Sequence, residues 1–280
     1  MPLIAEKQLR IALIIDADNA PADKIDEVLT ELSTLGVINV RRAYGNWTKG
    51  ALSGWQERLL EFAIKPVQQF DYSKRKNASD MAMTVDAMEL LYNDRPDAFG
   101  IVSSDADFTP LVMHLRAKGA AVFGFGMAQT PKPFVNACSR FLYLEALGST
   151  EQDAEASSGA AGGTEPATAA GREGGEAAAP GVPGRPARLR VPSAELRQDS
   201  RLMTLLRDAA QAVQDETGWA LVGAVGSQIG NKASFDSRNY GYATLTKLLA
   251  ATEAFEMRDE GSSRVAVRDK RLTRGGSALR

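Results

Sequence analysis

Ile11-Ala12-Leu13-Ile14-Ile15-Asp16-Ala17-Asp18-Asn19 is the stretch that decides the fold. An unbroken apolar run of this length reads as a strand covered on both faces, as in a parallel sheet. The run stops at two carboxylates. A second apolar stretch, Phe99-Gly100-Ile101-Val102-Ser103-Ser104, stops in the same way at Asp105 and Asp107. Asp80 opens the helical pattern Asp80-Met81-Ala82-Met83-Thr84-Val85. If both runs are strands of one parallel sheet, their carboxyl ends share an edge, and open α/β sheets hold their sites there. Carboxylates gathered at that edge repel one another unless a cation joins them. Oxygen ligands suit hard divalent ions, so the pattern points to Mg²⁺ or Mn²⁺.

Outward from this stretch, strand-like and helix-like patterns alternate. The helix Asp23–Leu35, which Gly36 ends, has Ile25, Val28, Leu29, Leu32 and Leu35 on one side. A strand begins at Val37-Ile38-Asn39-Val40. Then follow helix 54–62, strand 66–70, helix 80–92, strand 99–103, helix 108–118, strand 121–125 and a short strand at 141–144. Repeated βα units predict a mostly parallel sheet with helices on both faces. Between Gly148 and about Pro192, Ala, Gly, Pro, Glu, Ser and Thr dominate, and no aromatic residue occurs. Such a segment buries too little apolar surface to offset its ordering entropy. It reads as a disordered linker whose random-coil span is on the order of 35–40 Å, leaving the two modules free to move independently. Beyond it, helical patterns at 201–215, 221–229 and 242–251 lead into an alternating hairpin around Asp259-Glu260-Gly261-Ser262-Ser263. The expected organisation is an α/β domain over 1–148, a linker over 149–195, a small winged-helix-like α+β domain over 196–272 and a disordered tail over 273–280.

Composition narrows the chemistry. The chain has 280 residues, 44% of them hydrophobic, enough for two cores. No apolar stretch approaches the roughly 18–20 residues of a membrane helix, and Met1–Arg10 lacks the apolar centre of a signal peptide. Cys138 is the only cysteine and His114 the only histidine. An intramolecular disulfide and a Cys/His zinc centre are therefore excluded, and a reducing cytoplasm fits. A Ser or Cys hydrolase would have to recruit His114, which sits in a helical pattern and reads as a packed helix residue. Cys138 has no activating base near it in sequence. Residues 1–148 hold 16 Lys and Arg against 18 Asp and Glu, while 196–280 hold 13 against 10. A slightly acidic first module suits a carboxylate site; a slightly basic second one is compatible with nucleic acid.

In an extended chain Asp16 and Asp18 point to one side, as do Asp105 and Asp107. Asp80, alone, also reads as a helix cap. Asn19 can donate its amide to a phosphate or a metal-bound water. Asp86 lies six residues beyond Asp80, about 120° around the helix, and is not expected to share the site directly. Metal-assisted phosphate chemistry needs no His, Cys or Ser. Lys49, Lys74, Arg75 and Lys76 lie in loops expected to border the same edge, where together they can steer a polyanion. Tyr44, Trp47, Trp55 and Tyr72 are aromatic neighbours able to stack on bases or to fill the core, the latter expected for Trp55.

The ordered set Ile14-Ile15-Asp16-Ala17-Asp18-Asn19, Lys76-Asn77-Ala78-Ser79-Asp80 and Ser103-Ser104-Asp105-Ala106-Asp107-Phe108 resembles the NYN domain, a PIN-like nuclease family, over roughly 8–147. The resemblance implies a three-layer α/β/α sandwich and a metal-dependent ribonuclease. It implies Asp16, Asp80 and Asp105 as core ligands of Mg²⁺ or Mn²⁺, with Asp107 and Asn19 in support. Ser104 stands where that family usually has Gly, so the turn there is expected to differ slightly. Residues of about 200–270, with Ser227-Gln228-Ile229, Phe235-Asp236, Tyr240-Gly241-Tyr242 and Leu245-Leu248-Leu249, resemble the LOTUS (OST-HTH) domain, which implies binding to single-stranded or structured RNA or to a protein partner. Two other readings stay open here. One is an RNA-binding or scaffolding adaptor with an idle site. The other is a haloacid-dehalogenase-like phosphatase, suggested by Asp16-Ala17-Asp18, although that family usually has Thr or Val where Ala20 stands.

Overall fold

The computed structural model describes residues 8–70, 78–148, 190–262 and 264–275. The opening stretch is β1, Leu9–Asp16, and it is the hub of the first domain. It pairs in parallel with β2 (Gly36–Gly45) on one side and β4 (Ala98–Val102) on the other. With β3 (Lys65–Gln68), β5 (Ala121–Gly126) and β6 (Arg140–Tyr143), these form a six-stranded parallel sheet in the order β3-β2-β1-β4-β5-β6. Every residue of β4 is buried, as expected of a strand covered on both faces.

Alternation along β1 sorts the two faces. Ile11, Leu13 and Ile15 pack with Ile25, Val28, Leu29 and Leu32 of α1 (Ile25–Ser33) and with Trp55 of α2 (Trp55–Glu61). Ala12 and Ile14 pack the other way, with Met83, Ala87 and Leu90 of α3 (Ala78–Asn93), Leu111, Val112 and Leu115 of α4 (Thr109–Ala117) and Phe134 of α5 (Lys132–Ala137). The result is the expected three-layer α/β/α sandwich. Helix α5 has no counterpart among the elements expected from sequence, and two prolines lie at its start. Pro131 is the N-cap and Pro133 falls in the first turn, where a missing N–H costs nothing.

The second domain holds α6 (Ser193–Gln198), α7 (Ser200–Val213), β7 (Ala220–Leu221), α8 (Val222–Lys232), α9 (Leu245–Ala251), β8 (Phe255–Arg258), β9 (Ala266–Asp269) and α10 (Lys270–Gly275). Its antiparallel sheet runs β7-β9-β8, and the order helix, short strand, two helices, hairpin is that of a winged helix. Leu196, Leu202, Leu206, Val225, Leu248 and Phe255 are among its core residues. Leu196 is fully buried in α6, a helix that begins at Ser193, where linker composition was expected. The Ala/Gly/Pro-rich stretch through residue 189 lies outside the described residues. α10 occupies part of the segment expected to be an irregular tail.

Close packing of β5 on β4 explains one glycine. A Cβ on Gly126 would lie 2.6 Å from the Ser103 carbonyl oxygen and 2.7 Å from Thr130 Oγ1. Gly126→Ala should therefore destabilise the first domain by about 1–3 kcal/mol. Gly50→Ala, with no atom within 4 Å of the new methyl group, should stay within about 0.5 kcal/mol, both variants being compared with the wild type by urea titration.

Candidate active site

The strand order reverses direction between β1 and β4, so the crevice at their carboxyl ends is the switch point of the sheet. Asp16 is the last residue of β1 and shares the parity of Ala12 and Ile14, which puts its side chain on the α3 face. Ser103, just past β4, shares the parity of Phe99 and Ile101 and comes out on the same face. The two meet: Ser103 Oγ donates to Asp16 Oδ2 at 2.9 Å. Asn19 Nδ2 donates to the same oxygen, also at 2.9 Å. Asp16 is 1% exposed, and its other oxygen, Oδ1, is buried with no hydrogen-bond partner among the described residues. Burial raises the Asp16 pKa and Asp18 adds to the rise, while the Asn19 and Ser103 hydrogen bonds work against it.

Asp80 enters from the first turn of α3. Its carboxyl is pushed up to about 6, first by burial and then by repulsion from Asp16, Asp105, Asp107 and Asp18. That set is the five carboxylates singled out in the sequence. Asp105 caps the 3₁₀ turn Ala106–Phe108, its Oδ1 accepting from the Asp107 N–H at 2.8 Å, and its own N–H donates to Ser103 Oγ at 3.1 Å. Ser103 thus ties the β4 end to both Asp16 and Asp105. Asp18 Oδ2 accepts from Ser79 Oγ at 2.7 Å, and Lys49 Nζ lies 3.8 Å from its Oδ1.

Some expected placements differ. Alternation does not govern either Asp-x-Asp pair: the chain turns at Asp16, whose carbonyl accepts from the Ala20 N–H at 2.9 Å, and Asp107 sits in a 3₁₀ turn. Asn19 is engaged with Asp16 itself. Lys74, Arg75, Lys76 and Tyr72 fall in 71–77, outside the described residues. Ser104, in the place of the usual Gly, has no left-handed backbone, and its Oγ accepts from the Met127 N–H at 2.8 Å. Ser79 and Ser103 are the site residues that sequence reasoning passed over; both stood inside the quoted motifs, but nothing in a serine announces a carboxylate partner.

The remaining candidates have structural places. Asp86 accepts from Arg42 and from the Tyr44 hydroxyl, an anchor of α3 on β2. Trp55 is core, and Trp47 Nε1 donates to the Val67 carbonyl at 3.1 Å. His114 Nε2 lies 3.0 Å from the Tyr92 hydroxyl on the outer helices. Burial pushes the Cys138 thiol up to about 12, which leaves it no nucleophile.

Among the described residues no group of three or more His, Cys, Asp or Glu side chains is drawn together as a ready-made metal site. The donor set nevertheless suits a hard cation. It is all oxygen, the neighbouring carboxylates add to the rise in the Asp80 pKa, and Asp16 Oδ1 is a buried acceptor with no donor among the described residues.

The NYN domain family model matches residues 10–145, and the OST-HTH/LOTUS domain model matches 197–267. The NYN match spans both strands that end in Asp pairs, and the phosphatase reading finds no support. An uncharacterized protein of Methanocaldococcus jannaschii is 34% identical over 124 residues, 42% of this chain and 47% of that protein, so the chain spans about half the length of that curated relative. A solved protein of unknown function from Vibrio parahaemolyticus is similar over 50% of this chain and 96% of its own, with 18% identity and a TM-score of 0.40.

A raised carboxyl pKa has a defined consequence for stability. Folding favours the protonated Asp80, so its contribution is best below the ordinary pKa of 3.8 and is lost as pH rises through about 6. In metal-free protein, Asp80→Asn should raise the melting temperature at pH 8 and leave it nearly unchanged at pH 4. Equal shifts at both values would contradict the crowding of carboxylates.

Proposed function

The chain carries an NYN domain and an OST-HTH/LOTUS domain, and we propose on that basis that it is a metal-dependent endoribonuclease whose C-terminal domain recruits the RNA. The observation that carries the reading is Asp16: a carboxylate 1% exposed at the switch point of a parallel sheet, with one oxygen held by two donors and the other held by none among the described residues. Asp16, Asp80 and Asp105 would hold Mg²⁺ or Mn²⁺, with Asp107 beside them. When bound, such a cation acidifies water and supplies positive charge opposite that growing on the scissile phosphate.

The chain's own residues supply the positioning. Asn19 and Ser103 fix the orientation of Asp16, as outer hydrogen bonds do for ligand carboxylates. Ser79 fixes Asp18, and Asp18 in turn draws Lys49 to the rim. Lys49, with Lys74, Arg75 and Lys76, would draw the RNA backbone in against the repulsion of the acidic edge. Among the described residues no helix is long and apolar enough to cross a membrane. A single cysteine suits a reducing compartment, and on that ground the activity is assigned to the cytoplasm.

The test is incubation of the full-length protein with labelled single-stranded and structured RNA in Mg²⁺, Mn²⁺ or EDTA. Cleavage should require the cation and fall by about 100-fold or more in Asp16→Asn and in Asp105→Asn, the range seen for groups that hold or orient a metal. RNA binding with no cleavage under any of these conditions would sink the nuclease in favour of an RNA-binding adaptor.

A further inference from the structure

An outer strand of a sheet leaves a row of backbone donors and acceptors unpaired, and β6 is such a strand. Here one side chain of the second domain meets that row. Asn239 Oδ1 accepts from the Tyr143 N–H at 3.1 Å, and its Nδ2 donates to the Phe141 carbonyl at 2.9 Å. A primary amide offers a donor and an acceptor side by side, as a peptide group does, so Asn239 stands in for a residue of a neighbouring strand.

Beside it lies a four-membered charge cluster. Arg238 forks onto Glu31 of α1, with Nη1 and Nη2 donating at 2.7 and 2.8 Å. Arg140 of β6 donates through Nε and Nη2 to Asp236 Oδ2 at 2.8 and 2.6 Å. Within each domain the pairs also touch: Arg140 Nη1 lies 3.5 Å from Glu31, and Arg238 Nε donates to Asp236 Oδ1 at 3.1 Å. The side chains of Asp236 and Glu31 are only 5% and 12% exposed. Both carboxyls are held below their ordinary pKa, Glu31 chiefly by the Arg238 hydrogen bonds, Asp236 by Arg238 and Arg140 against its own burial.

Each domain thus contributes one cation and one anion, and separation leaves each face with its own neutral pair. Neither opening nor closing leaves a charge without a counter-charge, so the contact avoids the cost of an uncompensated buried ion, while the desolvation of its four ions offsets part of their attraction. Arg201 Nη2, 3.3 Å from Asn136 Oδ1, extends it to α5.

We propose that Asp236, Arg238 and Asn239 are a docking latch that holds the C-terminal domain on the β6 edge of its own chain, so that the two domains form one body instead of independent modules on a tether. The latch spans β6 up to its carboxyl end, the end of the sheet that carries Asp16. β6 is the third strand from β1, on the order of 15 Å away at the usual strand spacing. That places the binding domain beside the acidic edge at a fixed distance, a consequence that rests on the ribonuclease reading; the docking itself does not.

Residue-resolved amide exchange on the full-length chain tests it independently of any activity. The Tyr143 amide should be protected in the wild-type chain and exchange at least tenfold faster in Asn239→Ala and in Arg238→Ala, while the Ile101 amide at the sheet centre stays slow and reports an intact fold. Glu31→Ala combined with Arg238→Ala should be less severe than the two single effects multiplied, as expected of partners in one contact. Tyr143 protection unchanged in Asn239→Ala and Arg238→Ala, or absent in the wild type, would overturn the latch. So would protection that disappears on dilution along with a dimer in light scattering, since the contact would then join two copies.

Discussion

A carboxylate removed from water at the end of a buried strand is the constraint around which the first domain is arranged. Burying an ionised carboxylate costs several kcal/mol unless hydrogen bonds or a counter-charge offset it. Asn19 and Ser103 compensate one oxygen of Asp16, and the other has no donor among the described residues. Three more carboxylates, Asp18, Asp105 and Asp107, join Asp16 in adding repulsion at Asp80. Taking up a proton or a cation relieves such an arrangement, and the proposed nuclease would use the second.

The scaffold fixes this strain by register. Parallel pairing of β1 with β4 brings the two strand ends level, alternation turns Asp16 and Ser103 to the α3 face, and the N-terminal turn of α3 delivers Ser79 and Asp80 to that face. Asp86, fastened to Arg42 and Tyr44, holds the same helix lower down. Among the described residues the second domain adds nothing to the carboxylate set; its contact is with the opposite edge of the sheet from β3.

Much of this was legible because it depends on local pattern. Apolar runs ending in Asp declare buried strands with charged tips, and the βα alternation declares a parallel sheet, so both the layers and the five carboxylates follow from sequence. What escaped depends on partners far apart in the chain. Ser103 is 87 residues from Asp16 and Ser79 is 61 from Asp18, and a serine has the same look whether it faces solvent or a carboxylate. Extended-chain geometry misdirected both Asp-x-Asp pairs because each sits where the strand has already turned. Asn239 and Phe141, 98 residues apart on either side of a compositionally biased stretch, could be joined by no local rule; that stretch suggested independence where the structure has a contact.

The most direct measurement of the central claim is a Mn²⁺ titration of the protein followed by electron paramagnetic resonance, without RNA and without turnover. A saturable site should appear in the wild-type chain, weaken by about 10- to 100-fold in Ser103→Ala, and vanish in Asp16→Asn. Binding that is absent at millimolar Mn²⁺, or that is the same in wild type and Asp16→Asn, would contradict the assignment of this acidic edge as a metal centre.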